Sequence, residues 1–245
     1  MNRFKIIPVI DILNSRAVHA IKGDRENYKP LKSGLFETTD PTNIIKTLNK
    51  KYNFNEFYIA DLDSILKKKL NIQILKQIGN IENVKIIIDP GIVTPKEIKN
   101  FTQINFRALI LGLETIKNLK TINKSIEFLG INKVIVSIDM YKGKILSNAK
   151  EFKNYPMLNV IEKIEMLGVK TLILLDLFRV GLKLGGVPQL YIDILQNFNG
   201  DIYVGGGIKN LNDILQYKDE GFSGVLIATA LYDGTIEIEK LKVIN

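Results

Sequence analysis

The stretch IIPVIDILNSRAVHA, residues 6–20, has a counterpart later in the chain, VIVSIDMYKGKILSN at residues 134–148. Each reads as a buried strand that ends in Ile-Asp and continues into a small hairpin. Three more pairs follow in the same order: YIADLD (58–63) with LLDLF (174–178), IIIDPGIVTPKEI (86–98) with IYVGGGIKNLNDI (202–214), and LILGLE (109–114) with VLIATA (225–230). Corresponding residues lie 115 to 128 positions apart. This repeat predicts two half-barrels, about 1–130 and 131–245.

Apolar runs typical of buried parallel strands alternate with helix-like segments along the whole chain. The predicted strands are Phe4–Ile10, Phe57–Ala60, Val84–Ile88, Ala108–Leu111, Val134–Ile138, Leu172–Leu175, Ile202–Val204 and Gly224–Ala228. The predicted helices are Pro41–Lys51, Asn71–Gly79, Pro95–Phe101, Leu119–Leu129, Pro156–Leu167, Pro188–Phe198, Leu211–Asp219 and Ile236–Lys242. Two short extra strands are expected at Ala17–Lys22 and Lys144–Leu146. This order predicts an α/β protein, a single (β/α)8 TIM barrel domain over 1–245.

The composition excludes several classes of function. The chain of 245 residues is 46% hydrophobic, has no cysteine and one histidine, and carries a formal charge of +8. Disulfides, thiolate metal sites and a cysteine nucleophile are therefore excluded. The lysines are spread over helical segments without an arginine-rich run, so a solvated surface is favoured over nucleic-acid binding. The N-terminus does not read as a signal peptide, and no stretch is long enough to span a bilayer. We expect a cytoplasmic protein without membrane association, as a monomer or small homo-oligomer.

The glycine run Gly205-Gly206-Gly207 joins a predicted strand to a helix that begins near Asn210. Glycines at such a turn let backbone N–H groups approach a phosphate, and the N-terminus of the following helix favours an anion. A tight structural turn would use the same residues. The small residues Ala228 and Thr229 end the last strand, and a phosphate held by the last two loops is a recurrent arrangement in barrels. These two segments together favour a phosphate site.

Four aspartates, Asp11, Asp61, Asp139 and Asp176, end predicted strands, where barrel active sites lie. Asp11 and Asp139 end the first and fifth strands and face each other across the barrel, so one can take a proton while the other gives one. Each aspartate could instead cap the next segment or pair with a lysine, and for Asp61 and Asp176 the holding of loops or ligand hydroxyls is an equal alternative to proton transfer. Hard cations also bind carboxylates, but the glycine loop offers another reason for a polar opening, and we assign no metal site. His19, the single histidine, rules out a multi-histidine site.

The segments IIPVIDI with its hairpin and Lys22-Gly23-Asp24, IADLDS, VSIDMYKGKI, VGGGIKNLNDI and VLIATALYDG resemble the HisA/HisF family of histidine biosynthesis. The likeness spans nearly the whole chain and is nearer to HisA, the isomerase, than to HisF, the cyclase. It implies an Amadori aldose–ketose rearrangement of the phosphorylated sugar ProFAR (phosphoribosylformimino-aminoimidazole carboxamide ribotide). Asp11 would then remove the sugar C2 proton and Asp139 would help to open the ribose ring. No cofactor is implied, because the substrate nitrogen forms the Schiff base.

This sequence departs from the family pattern in one half. A glycine-rich loop after the third strand is replaced by Asp89-Pro90-Gly91, and the loop after the fourth strand reads Gly112-Leu113-Glu114. An aspartate repels phosphate and a proline lacks an N–H donor. The sixth strand ends in Asp176 and is followed by apolar residues around Arg179, and His19 replaces a hairpin arginine. The departures suggest a divergent HisA-related enzyme, of the kind found in methane-producing archaea, whose substrate carries a single phosphate.

We accordingly expect Asp11, Asp139 and Asp176 to be catalytic and Gly205, Gly206, Gly207, Ala228 and Thr229 to bind phosphate. His19, Asp61 and Arg179 complete the set as substrate contacts. Two other classes of function remain open. One is a lyase or cyclase on the same scaffold, for example in one-carbon cofactor synthesis. The other is a barrel that binds a phosphorylated ligand without catalysis.

Overall fold

The computed structural model describes residues 4–21, 23–24, 27–152, 155–241 and 244. Its strands are β1 (Lys5–Leu13), β2 (Arg16–His19), β3 (Lys29–Pro30), β4 (Glu56–Asp61), β5 (Lys85–Asp89), β6 (Ala108–Gly112), β7 (Val134–Tyr141), β8 (Lys144–Ile145), β9 (Thr171–Asp176), β10 (Asp201–Gly205) and β11 (Gly224–Ile227). Its α-helices are α1 (Pro41–Tyr52), α2 (Leu62–Lys67), α3 (Ile72–Gly79), α4 (Lys120–Leu129), α5 (Met157–Met166), α6 (Gln189–Gln196), α7 (Leu211–Asp219), α8 (Thr229–Tyr232) and α9 (Ile238–Leu241). Within the described residues, 3-10 helices span Pro95–Phe101, Ile131–Lys133 and Lys150–Phe152.

Eight of the strands form a closed parallel barrel in the order β1-β4-β5-β6-β7-β9-β10-β11. The ring closes because β1 pairs with β4 on one side and with β11 on the other, where Lys5 lies opposite Gly224. The short strands β2 and β8 pair antiparallel with β1 and β7, so each half of the barrel carries the predicted hairpin. The predicted (β/α)8 barrel is confirmed. Among the described residues, no helix has both the length and the apolar character needed to cross a membrane.

Both faces of the barrel strands are buried, which explains their continuous apolar sequences. Alternate residues point inward, as Tyr58 and Ala60 do on β4, whereas Phe57 and Ile59 point outward against the helices. Twelve buried residues form the inner layer: Ile7, Val18, Tyr58, Ala60, Leu62, Ile87, Ala108, Ile110, Ile135, Ile173, Tyr203 and Leu226. The inner layer is therefore largely apolar, and two of these residues are tyrosines.

The N-terminal end of the barrel is closed by an ionic contact. Glu56 lies 2.7 Å from the Lys5 ammonium and 2.8 Å from the Arg107 guanidinium. These residues begin or precede strands, so they lie at the end of the barrel that contributes to stability rather than to catalysis in this fold. The other end is left to provide the site.

Most predicted elements are present, with shifts at their ends. The segment Pro95–Phe101 is a 3-10 helix rather than an α-helix, because its Glu97 carboxylate folds back onto the N–H groups of Val93 and Thr94 and tightens a short turn. The helices α2 and α8 were not predicted and directly follow β4 and β11. Two predicted ends, Lys22 of the first hairpin and Lys242 of the last helix, lie outside the described residues.

Candidate active site

A cavity opens at the C-terminal end of the barrel strands, with an empty volume of about 940 Å³ that includes space open to solvent. Seven of the predicted site residues line it: Asp11, Asp139, Gly205, Gly206, Gly207, Ala228 and Thr229. The first two come from β1 and β7, and the others from the ends of β10 and β11. The two halves of the repeat thus contribute to one site.

Carboxylates dominate the polar lining of this cavity. Asp89, at the end of β5, and Glu114, after β6, line it together with Asp11 and Asp139. The Ser137 hydroxyl donates a hydrogen bond of 3.1 Å to Oδ1 of Asp139. Asp139 is buried, as expected of a side chain whose orientation the protein holds.

Tyr58, on β4, lies among these carboxylates. Its hydroxyl donates a hydrogen bond of 3.0 Å to Oδ2 of Asp89. Burial, followed by the charges of Asp89 and Asp139, raises the pKa of Tyr58 well above its usual value. The phenol therefore keeps its proton near neutral pH and acts as a donor. Sequence reasoning missed this residue; its signal was a tyrosine at an inward position of an otherwise apolar strand.

The glycine loop has the backbone that the sequence predicted. Gly206 and Gly207 have φ angles of +83° and +85°, a region that L side chains rarely adopt. A Cβ on Gly207 would lie 2.9 Å from Nε of Arg179. In the part of the chain that the structure describes, the N–H groups of Gly206 and Gly207 have no protein acceptor. Two N–H donors therefore remain for a ligand at this edge of the cavity.

The end of β11 adjoins the glycine loop, because β10 and β11 are paired neighbours. The Thr229 hydroxyl lies 3.0 Å from Nε2 of His19, which brings the first hairpin to this side of the site. Burial lowers the pKa of His19, and the charge of Lys183 acts in the same direction. Lys183 itself lines the cavity and is paired with Asp233 at 2.7 Å. Sequence reasoning missed Lys183, which stands in the same largely apolar loop as Arg179.

The helix after the glycine loop does not contribute its dipole as expected. The N-terminus of α7 is occupied by its own capping box, in which Asn210 accepts from the N–H of Asp213. The Asp213 carboxylate in turn accepts from the N–H groups of Lys209 and Gly186. The positive end of α7 is thus compensated within the protein, and the N–H groups of the loop itself are those left without an acceptor among the described residues.

Asp61 and Asp176 bond backbone groups and do not line the cavity. Asp176 accepts from the N–H groups of Lys142 and Gly143, at 3.0 and 2.9 Å, and from Phe178, which anchors the second hairpin. Asp61 is fully buried and accepts from Ser64 and Asn71, which shapes the start of α2. These contacts match the alternative role of capping, so neither residue is placed to touch a substrate in the cavity.

Arg179 is also turned away from the cavity. Its guanidinium donates to the carbonyl oxygens of Gly185 and Gly186, at 2.5 and 3.0 Å, and its side chain lies against Gly207. The arginine thereby supports the glycine loop from behind. In this position Arg179 buries one face of the glycine loop and does not line the cavity in which a ligand would bind.

Four carboxylates, those of Asp11, Asp89, Glu114 and Asp139, line the cavity. Within the described ranges, no three acidic or histidine side chains form a group that could hold a metal ion. Such an arrangement suits several polar groups of one organic molecule.

Comparison with known proteins places the chain in a family. A family model described as histidine biosynthesis protein matches residues 5–237. An uncharacterized protein of Methanocaldococcus jannaschii is 32% identical over 240 residues, covering 97% of both chains. An enzyme of Lactococcus lactis subsp. cremoris, 1-(5-phosphoribosyl)-5-((5-phosphoribosylamino)methylideneamino)imidazole-4-carboxamide isomerase, is 28% identical over 239 residues, covering 96% of this chain and 94% of the enzyme. The isomerase of the same name from Streptococcus sanguinis is 24% identical, covering 97% of both. The chain therefore belongs to the histidine biosynthesis protein family.

Proposed function

We propose that this protein is a HisA-like aldose–ketose isomerase that acts on a phosphoribosyl-amine type of substrate, ProFAR or a related sugar phosphate. The observation that carries the proposal is that Asp11 and Asp139, from symmetry-related strands, line one cavity together with the glycine loop. The isomerases among its relatives support this class of reaction.

The reaction needs an acid and a base on either side of the sugar. Asp139, oriented by Ser137, donates a proton to the ring oxygen, so that the C1–O bond breaks and the C1–N bond becomes a protonated Schiff base. Asp11 removes the proton from C2, and the electron pair neutralises the nitrogen to give an enolamine. Asp11 then returns its proton to C1 while the C2 hydroxyl gives its proton to Asp139, which leaves a ketone at C2 and an amine at C1 and restores both side chains. No electron is gained or lost overall, so the protein's own groups suffice.

The glycine loop and the end of β11 hold the substrate phosphate in this proposal. The N–H groups of Gly206 and Gly207 and the Thr229 hydroxyl lie on the same side of the cavity. Backbone donors bind a phosphate without an obligatory basic side chain, and Lys183 adds positive charge beside them. The phosphate thus anchors the sugar between Asp11 and Asp139.

The test is turnover of ProFAR, and of a ribosylamine that carries a single phosphate, by the wild type, Asp11→Asn and Asp139→Asn, followed as conversion to a product of unchanged mass. Each change removes one proton-transfer group, so we expect kcat to fall by about 10²–10⁴. Binding of a sugar monophosphate changes less than threefold in both variants, because the glycine loop is intact. Asp219→Asn, at an exposed position on α7, is the matched control.

Other outcomes would assign the protein to one of the remaining classes. A product of altered mass would replace the isomerase with a lyase or cyclase. Binding of sugar phosphates with no turnover of any aminated pentose phosphate would leave a binding barrel. Turnover that survives in both aspartate variants would refute the base role of Asp11 and the acid role of Asp139.

A further inference from the structure

The repeat makes the two sides of the cavity directly comparable, residue by residue. We call Asp89–Gly91 and Gly112–Glu114, at the ends of β5 and β6, the acidic side. We call Gly205–Gly207 and Ala228–Ala230, at the ends of β10 and β11, the phosphate side. Each residue of the acidic side has its counterpart 116 positions later on the phosphate side.

The two sides differ first in their backbone donors. Pro90 has no N–H, whereas the N–H of its counterpart Gly206 is present and meets no acceptor among the residues that the structure describes. The N–H of Gly91 donates to Oδ1 of Asp89 at 3.1 Å, whereas the N–H of Gly207 meets no acceptor within the described residues. The acidic side therefore lacks the pair of backbone N–H donors that the phosphate side can offer to a ligand.

The same difference extends to the neighbouring loop. The N–H of Leu113 donates to the Ser137 carbonyl at 3.0 Å, so it is consumed within the barrel. For its counterpart Thr229, the described part of the chain offers no N–H acceptor, and the hydroxyl adds a polar group. At all three pairs of corresponding positions, the residue on the phosphate side favours the binding of an anion and the residue on the acidic side does not.

The side chains of the two sides differ in charge as well, because the acidic side carries two carboxylates. Asp89 and Glu114 stand where the phosphate side has Gly205 and Ala230, and all four residues line the same cavity. Lys183, the lysine among the cavity's lining residues, comes from the loop after β9 and is held by Asp233. Carboxylates accept hydrogen bonds and attract positive charge, so the acidic side repels a second phosphate.

Asp89 is held in place as an acceptor. Its Oδ2 accepts from the buried Tyr58 hydroxyl and its Oδ1 from Gly91, so the carboxylate orientation is set from below and from its own loop. A carboxylate oxygen can accept more than one hydrogen bond. The acidic side is thus a preorganised acceptor for a group that brings protons.

We propose that the cavity takes a ligand with one phosphate and one positively charged amino group. The phosphate binds the phosphate side, the amino group binds Asp89 and Glu114, and ligands with a phosphate at each end are rejected. This inference rests on the proposed function for its phosphate, and it narrows the substrate to phosphorylated amines. It distinguishes the protein from an isomerase of a substrate with two phosphates.

The experiment measures the affinity of three probe series by calorimetry: aminoalkyl phosphates, hydroxyalkyl phosphates and alkanediyl bisphosphates, each with four to eight carbons. The hydroxyl probe reports the phosphate side alone, and the chain length accommodates the distance across the cavity. We expect the best amino probe to bind at least about tenfold more tightly than its hydroxyl match and the bisphosphate to bind at least about tenfold more weakly than the amino probe.

Two kinds of variant assign the preference to the acidic side. Asp89→Asn and Glu114→Gln keep the side-chain shape and remove charge, so they reduce the amino preference to about threefold or less while the hydroxyl probe binds unchanged. The triple variant D89G/P90G/E114A introduces the residues of the phosphate side and is expected to gain bisphosphate affinity. A thermal melt checks its folding, and the conservative variants decide the matter if it does not fold.

The failure of this inference is distinguishable from the failure of the proposed function. If the bisphosphate binds as tightly as the amino probe in the wild type, or the conservative variants leave the preference unchanged, the amino assignment is overturned while the isomerase proposal stands. If no phosphate probe of any series binds, the phosphate side itself is refuted and both proposals fall.

Discussion

The first and second half-barrels have the same frame and opposite chemistry at their strand ends. β5 and β10 both run into a loop with a positive-φ glycine, Gly91 and Gly207, at corresponding positions. In the first half the N–H of Gly91 donates to Asp89, and in the second half the N–H groups of Gly206 and Gly207 meet no acceptor within the described residues. A few residues beyond the last strand position therefore change a ligand preference on the same barrel frame.

The two hairpins show the converse, in which the same structural role is filled by different residues. Asn14 and Ser15 in the first hairpin, and Lys142 and Gly143 in the second, all have positive φ angles. The first turn is held by Asp63, which accepts from the N–H of Ser15, and the second by Asp176. Asp176 aligns with Asp61 in the sequence repeat. The residue that plays the same structural role in the first half, however, is Asp63, two residues further on.

The largest effect is expected from a matched pair of glycine changes. Gly207→Ala places a Cβ 2.9 Å from Nε of Arg179 at a φ of +85°, so the loop must shift. Its backbone N–H groups are then no longer positioned to bind the phosphate. We expect the affinity for a hydroxyalkyl phosphate to fall about 100-fold, as when an oriented backbone donor is lost. Gly91→Ala is equally strained, at 2.8 Å from Ile65, and should lower stability with the phosphate affinity unchanged. Calorimetry and thermal melting separate the two, and equal losses of affinity would erase the distinction between the sides.

A smaller effect is expected from removing the anchor of the second hairpin. Asp176→Ala leaves the N–H groups of Lys142, Gly143 and Phe178 without their carboxylate acceptor. We expect a loss of about 2–4 kcal/mol in the free energy of unfolding, because part of the penalty is recovered by water. Urea denaturation measures it, with Asp193→Ala on the outer helix α6 as the control. A variant as stable as the wild type but inactive would return Asp176 to the catalytic residues.

The smallest effect is a pH dependence confined to the first hairpin. Burial opposes ionisation of Asp63, but hydrogen bonds from Asn71, Asn14, Lys67 and Ser15 prevail and lower its pKa to about 2. An acid with a lowered folded-state pKa adds stability that is present above its unfolded value, about 3.8, and is lost as the pH falls towards 2. Asp63→Asn should remove this part of the acid dependence. If the free energy of unfolding changes with pH in the same way for variant and wild type between pH 5 and pH 2, this prediction is wrong.

The repeat and the strand ends were readable from the sequence because both rest on local patterns. Continuous apolar runs predicted buried parallel strands, and Asp11, Asp139 and the three glycines were placed at the cavity by strand position alone. The roles of Asp61, Asp176 and Arg179 were not readable, because a carboxylate or guanidinium near a strand end can face either the cavity or a loop backbone. Which of these it meets depends on contacts between segments far apart in the chain.

By itself, the sequence determined a two-fold (β/α)8 barrel and a cavity lined by two opposed aspartates and a glycine loop. Periodic burial and strand order are sufficient for that, because parallel strands bring their C-terminal ends to one edge. Only the tertiary structure decided which donors are free. Gly91 and Leu113 give their N–H groups to Asp89 and Ser137, whereas the described part of the chain holds no acceptor for those of Gly206 and Gly207. The physical reason is that a hydrogen bond requires its donor and acceptor to lie at a suitable distance and angle. The sequence names the residues but does not give the positions of these atoms.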